Sequence, residues 1–167
     1  KPNKGSSKMG TRSRIVLDQR PHNYPQPKDS NPHTSDLLSM YCHYDGYVEY
    51  TGKMLLQHYD TKKRVKDLIM LTLGYASALY ETPEVTRCRS VKHEDLRSYQ
   101  SVDEVIAEHE NSDIEYIYLF QEDEWYFSER RCVKCPNRYQ GSYYYYWTDF
   151  QKLVDHPEFQ QTETEVA

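Results

Sequence analysis

Four side chains with polar or titratable heads alternate along one short stretch of the chain: Tyr41, His43, Asp45 and Tyr47. A spacing of two places them on one face of an extended segment. Gly46 supplies a turn, and helical periodicity begins just beyond it. A strand, a glycine turn and a helix N-terminus in that order can present polar groups into one pocket. The free N–H groups and the positive dipole end of the helix suit a phosphate or a carboxylate. His43 could bond an anion or act as acid/base near neutral pH. Asp45 could hold the histidine or take a ribose hydroxyl. Arg12 and Arg14 share one face of a predicted strand and could clamp the same anion. A plainer account stands beside this one. In it Asp45 bonds local backbone, Gly46 supplies an unusual φ, the tyrosines are core and the arginines lie on a solvated strand face.

Two further groups of residues could do chemistry. Cys132-Val-Lys-Cys135 has the spacing of half a tetrahedral zinc site. No second pair follows, so Cys42, His43, Cys88 or His93 would have to complete it from afar. Unmetallated loop thiols are the simpler expectation, and no cofactor is expected. Tyr143 to Tyr146 form a run of four tyrosines. Exposed, they could stack bases or anchor a partner. In a sheet, two of the four would face inward, and packing is the simpler expectation. With the acidic turn Glu122-Asp123-Glu124 they could also form an acidic-aromatic surface for a basic protein. The chain has no P-loop, no Gly-x-Gly-x-x-Gly, no His-Glu-x-x-His and no Gly-x-Ser-x-Gly.

The elements that must position these groups are legible from periodicity. Strands are predicted over 11–17, 37–44, 114–120, 125–128 and 142–147. Tyr116, Tyr118 and Phe120 line one face of the third, and Ile117 and Leu119 the other, so it reads as a central strand. Val48, Gly52, Leu55, Leu56 and Tyr59 mark one face of a helix. Gly52 on that inner face suggests close approach of another backbone. Asp60-Thr61 caps a second helix, with Val65, Leu68, Ile69 and Thr72 inward and Gly74 at its end. Ser101-Val-Asp-Glu104 is a capping box for a helix to about His109, and Thr148-Asp-Phe-Gln151 predicts another, with Phe150, Leu153 and Val154 inward. Residues 129–141 read as a polar loop, and 81–100 resist assignment. The fold class expected is α+β: one mainly antiparallel sheet with helices packed on one face.

The length, 167 residues, fits one domain over 11–157. Residues 1–10 read as a flexible arm, 18–36 as a long proline-rich loop and 158–167 as a flexible tail. Hydrophobic residues are 37%, but 17 tyrosines count against disorder as the reason. The net charge of −5 makes nucleic acid a poor expectation as partner. No apolar run approaches a membrane span. Four cysteines are too few for a disulfide scaffold, which favours a cytoplasmic setting.

The string Tyr41-Cys-His-Tyr-Asp-Gly-Tyr47, followed by Gly52-Lys-Met-Leu-Leu-Gln-His-Tyr59, resembles a pattern shared by small proteins of bacteriophages and prophages. Thr11-Arg12-Ser13 and the aromatic hairpin Glu115–Phe120 with Trp125–Phe127 extend the resemblance, in pieces, over about two thirds of the chain. The chain departs from the pattern in a longer first loop and in Val48, where proline is usual. It also carries Cys88–Ser98 where an Arg-Asp-Arg-Gly-Glu type segment would stand. The group has no assigned reaction. The resemblance implies a phage accessory protein in the cytoplasm of an infected bacterium. It would act by binding a host or defence protein, or a small nucleotide-like anion, in host takeover or counter-defence. The alternatives are an enzyme on a nucleotide or phosphodiester, with His43 as acid/base, and a virion component. The candidate ligand-binding residues are Arg12, Arg14, Tyr41, His43, Asp45 and Tyr47, with none assigned as catalytic or metal-binding.

Overall fold

A computed structural model describes residues 10–21, 36–134 and 143–160, without the side chain of Lys134. Most of the expected proline-rich loop, the outer arm and tail, and Cys135 lie outside the described residues. The elements run β1 (Arg12–Asp18), β2 (Leu37–Cys42), α1 (Lys53–His58), α2 (Lys62–Leu71), β3 (Tyr75–Ala76) and α3 (Pro83–Cys88). They continue β4 (Arg97–Tyr99), α4 (Val102–Glu108), β5 (Ile114–Gln121), β6 (Glu124–Lys134), β7 (Tyr143–Trp147) and β8 (Gln151–Lys152).

The strands make one eight-stranded sheet in the order β3-β2-β1-β5-β6-β7, with β4 on β2 and β8 on β6. Pairing is antiparallel except at β1–β5 and β2–β3, which are parallel. The chain is thus α+β with a mainly antiparallel sheet, and all five predicted strands belong to it. β5 is central, as its apolar residues on both faces require. Its hairpin to β6 turns on Glu122 and Asp123, both at positive φ (52° and 61°). Two such residues in a two-residue loop match the twist of the flanking strands.

Alternation sorts the strand residues into two cores. The first joins Ile15, Leu17, Met40, Tyr118, Phe120 and Phe127 to the helices through Leu55, Tyr59, Val65, Leu68 and Ile69. The π-helical turn Val48–Gly52 that leads into α1, with α1 and α2, therefore covers one face, as the periodicity predicts. The second core gathers Val16, Leu37, Ile117 and Leu119 under Val105. α4 thus adds partial cover on the second face, a refinement of the expectation that helices occupy one face only. Thr61 caps α2 by accepting from the Arg64 N–H, and Ser101 caps α4 through the Glu104 N–H.

Three local expectations need correction. Residues 129–134 are strand, because β6 continues past the body of the sheet to pair with β7. The helix expected after Thr148 is absent. The Thr148 hydroxyl accepts from the Glu129 N–H at 3.0 Å and so serves the ladder rather than a helix start. β8 follows, then 3-10 turns at Leu153–Asp155 and Pro157–Phe159. Leu153 enters the first core and Phe150 the second, whereas one helix face would have placed them together. Gly52 is approached by side chains, not by backbone. A Cβ there would meet Leu153 Cδ1 and Val48 Cγ1 at 3.2 Å.

Candidate functional site

The structure divides the six residues of the candidate pocket among three environments. Arg14 leaves the surface altogether, with 1% of its area exposed. Its Nε and Nη2 donate to Ser39 Oγ at 2.9 and 2.8 Å, Nη2 also donates to the Asp95 carbonyl at 3.0 Å, and Nη1 lies 3.4 Å from Asp95 Oδ2. Register explains the burial: Arg14 sits opposite Tyr41 on the inner stretch of the second face. Burial pulls its pKa below the ordinary value, and Asp95 partly offsets this. The expected Arg12–Arg14 clamp therefore does not form, because one of its two arms is consumed inside the fold.

Arg12, Tyr41 and His43 remain together at the margin of that face. Arg12 pairs with Asp113 at 3.2 Å and lies beside the Tyr41 hydroxyl. Tyr41 Oη and His43 Nδ1 are 2.8 Å apart. The Tyr41 ring stacks on Tyr75 at 5.7 Å, and His43 meets the Tyr44 ring edge-on at 4.3 Å. The hydroxyl and Nδ1 of the expected site thus bond to each other.

Asp45 and Tyr47 belong to the turn and to the opposite side. Asp45, not Gly46, carries the unusual backbone, at φ 56°. Its carbonyl accepts from the Thr51 hydroxyl at 2.7 Å. Gly46 donates its N–H to the Thr11 carbonyl at 2.9 Å and accepts from the Tyr118 hydroxyl at 2.7 Å. A Cβ on Gly46 would lie 2.9 Å from Ser13 Cβ and from the Thr11 carbonyl, so close packing is what requires glycine here. Tyr47 borders a hollow of about 310 Å³ together with Glu49, Glu115, Tyr116, Glu129 and Arg130. Burial, with Glu129 and Glu49 next in effect, pushes the Tyr116 hydroxyl up to about 12. Three carboxylates against one guanidinium disfavour the anion that the pocket was expected to hold.

A charged network that spacing does not reveal continues from Arg14. Asp95 Oδ1 meets Arg97 Nε at 2.7 Å, and Arg97 Nη1 meets Glu108 Oε1 at 2.7 Å. The Tyr99 hydroxyl donates to the other Glu108 oxygen. His109 is buried against this network, with Nε2 3.8 Å from Glu108 Oε2. Burial, then Arg14, drives its pKa down to about 4. The network ties β1, the segment before β4 and the end of α4 together.

Cys42 is fully buried, and burial pushes its thiol up to about 12, the wrong direction for a thiolate ligand. Among the described residues no three His, Cys, Asp or Glu side chains are placed to hold a metal ion. No described helix is long and apolar enough to cross a membrane.

The clearest surface feature is the two-stranded ribbon of β6 and β7. Tyr143, Tyr144, Tyr145 and Tyr146 are all exposed, at 58, 51, 54 and 39%. The expectation that two would pack inward fails because the ribbon extends beyond both cores, so among the described residues neither of its faces is covered. Alternation puts Tyr144 and Tyr146 on one face, 6.2 Å apart between ring centres, and Tyr143 and Tyr145 on the other. The Arg130 guanidinium lies 4.1 Å over the Tyr145 ring. On the other face Arg131, opposite Tyr146, approaches Glu129 at 3.7 Å. The acidic turn Glu122–Glu124 stands at the opposite end of β6, so the ribbon's own charges are mainly basic. Spacing shows the tyrosine run; only the length of β6, hidden in a polar sequence, shows that no described element covers it. Comparison with family models, with curated proteins and with solved structures finds no match for this chain.

Proposed function

We propose that this protein acts by binding another protein rather than by catalysis, and that the two faces of the β6–β7 ribbon are its binding element. One observation carries the reading: four consecutive tyrosines are exposed where a packed sheet would have hidden two. Tyrosine supplies large contact area at low entropic cost and keeps a hydroxyl for hydrogen bonding, which is why it is enriched at interface centres. Arg130 over Tyr145 and the neighbouring Arg131 add cations of the type common at such centres. The resemblance to small phage proteins suggests the setting, an infected bacterial cell, and the class of partner, a host or defence protein. The small-anion reading loses support, since Arg14 is spent in the core and Tyr47 borders a hollow with three glutamates against one arginine. The enzyme reading loses support with it, since the arginine clamp for a phosphate lacks Arg14, which is bonded to Ser39 inside the fold.

The reading is tested by affinity capture from infected cells, with the wild-type chain compared to Tyr144→Ser/Tyr146→Ser. The expected result is a stoichiometric partner retained by the wild type and lost by the variant at unchanged melting temperature. Equal retention by both chains would remove the ribbon from the account.

A further inference from the structure

The free edge of β7 is distinct from its tyrosine faces, and its chemistry stands independently of the proposed function. The Thr148 N–H donates to the Glu129 carbonyl at 3.0 Å, which fixes the phase of the ladder. Partners alternate along an antiparallel pair. With Tyr146 opposite Arg131 and Tyr144 opposite Val133, the backbone groups of Tyr144 and Tyr146 point to β6. Those of Tyr143, Tyr145 and Trp147 point away from it. β7 pairs with no other strand among the described residues.

Such an edge is a template for another strand, and edges are ordinarily blunted by a lysine, a proline or a bulge. β7 is Tyr-Tyr-Tyr-Tyr-Trp, with no charge and no proline, and its register with β6 is unbroken. We infer that β7 pairs antiparallel with β7 of a second copy about a two-fold axis through Tyr145, giving a reversible dimer with a continuous sheet. The three outward residues are symmetric about Tyr145, so Tyr145 meets its own copy and Tyr143 meets Trp147 of the other chain. Tyr144 then stands opposite Tyr146. Each is an aromatic cross-strand pair, the favourable kind.

Like charges do not oppose this pairing. The cations lie one strand inward, on β6, so those of the two copies are separated by three strand spacings, about 14 Å. That exceeds the Debye length of ~8 Å at physiological salt. Two five-residue strands bury less than the ~1,200 Å² of a stable interface, so the association is weak and concentration-dependent. The dimer doubles each tyrosine face without covering it.

Sedimentation equilibrium of the purified protein alone, under reductant so that exposed Cys132 cannot crosslink, tests this inference. Across roughly 1 μM to 1 mM, a range spanning weak association, the wild-type mass should rise from one chain toward two. Tyr145→Lys sets two ammonium groups against each other on the axis. Tyr145→Pro removes an outward N–H that β6 does not use. Both should stay at the mass of one chain, while Tyr145→Phe should behave as wild type. A wild type that stays monomeric throughout, or a Tyr145→Lys variant that dimerises as strongly as wild type, would overturn the inference. Neither outcome bears on capture of a different protein by the tyrosine faces.

Discussion

Arg14 and Ser39 hold each other across neighbouring strands, with the guanidinium reaching the hydroxyl through Nε at 2.9 Å and Nη2 at 2.8 Å. Both residues are covered, at 1 and 0% exposure, so the contact is part of the core. Arg14→Met should therefore lower stability by about 2 kcal/mol, the cost of leaving buried partners unsatisfied. That corresponds to a melting temperature lower by about 4–8 °C for a chain of this size. Arg14→Lys keeps the charge but cannot fork between Ser39 and Asp95, so it should recover only part of the loss. Thermal denaturation of the two variants checks the order. A neutral Arg14→Met would return the residue to the surface role that its position in the sequence suggested.

The Asp45–Gly46 turn makes a second stability prediction. Gly46→Ala drives a methyl group into Ser13 and the Thr11 carbonyl and should cost about 1–3 kcal/mol, as overpacking does. Asp45→Gly relaxes a left-handed residue and should be tolerated, whereas Asp45→Ala should cost about 1 kcal/mol. Urea denaturation of the three variants separates packing from backbone conformation. Equal midpoints for Gly46→Ala and wild type would contradict the close packing.

His109 should make stability depend on pH. In the unfolded chain it takes a proton near its ordinary 6.5; in the folded chain burial, with Arg14 next in effect, holds it at about 4. Between these values the unfolded chain binds more protons. Stability should therefore fall as pH drops from about 6.5 to about 4 and receive no further loss from this group below that. The total is at most about 3 kcal/mol. Carboxylates titrate in the same range, so the difference between wild type and His109→Gln isolates the histidine. The denaturant midpoint of the wild type should fall relative to that of His109→Gln as pH drops from 7 to 4. Parallel curves would show that His109 does not carry the effect.

Strand pattern and helix caps were the legible part of this fold. Alternation through Ser13, Ile15 and Leu17 and through Tyr116, Tyr118 and Phe120 sorts residues to the faces they occupy. Thr61 and Ser101 cap the helices that their spacing announces. The candidate pocket was less legible for a physical reason. Spacing says which residues share a face but not whether that face is covered. Tyr41 and His43 do lie together, yet Arg14 on the same face is roofed by Asp95 and Arg97, which come from a stretch without periodicity. Thr148 starts no helix because a hydroxyl that can cap a helix can equally accept from a neighbouring strand, and the long β6 supplies that strand. The tyrosine run was visible as composition, but its exposure depends on how far the ribbon outruns the cores.

The most direct measurement of the central claim is site-specific photocrosslinking in infected cells. A photoreactive phenylalanine analogue is placed at Tyr144, on the ribbon, or at Tyr44, an exposed aromatic beside His43. The ribbon account predicts a discrete adduct with a different protein from position 144 and none from position 44. Adducts from position 44 alone would contradict it and return attention to the Tyr41–His43 margin.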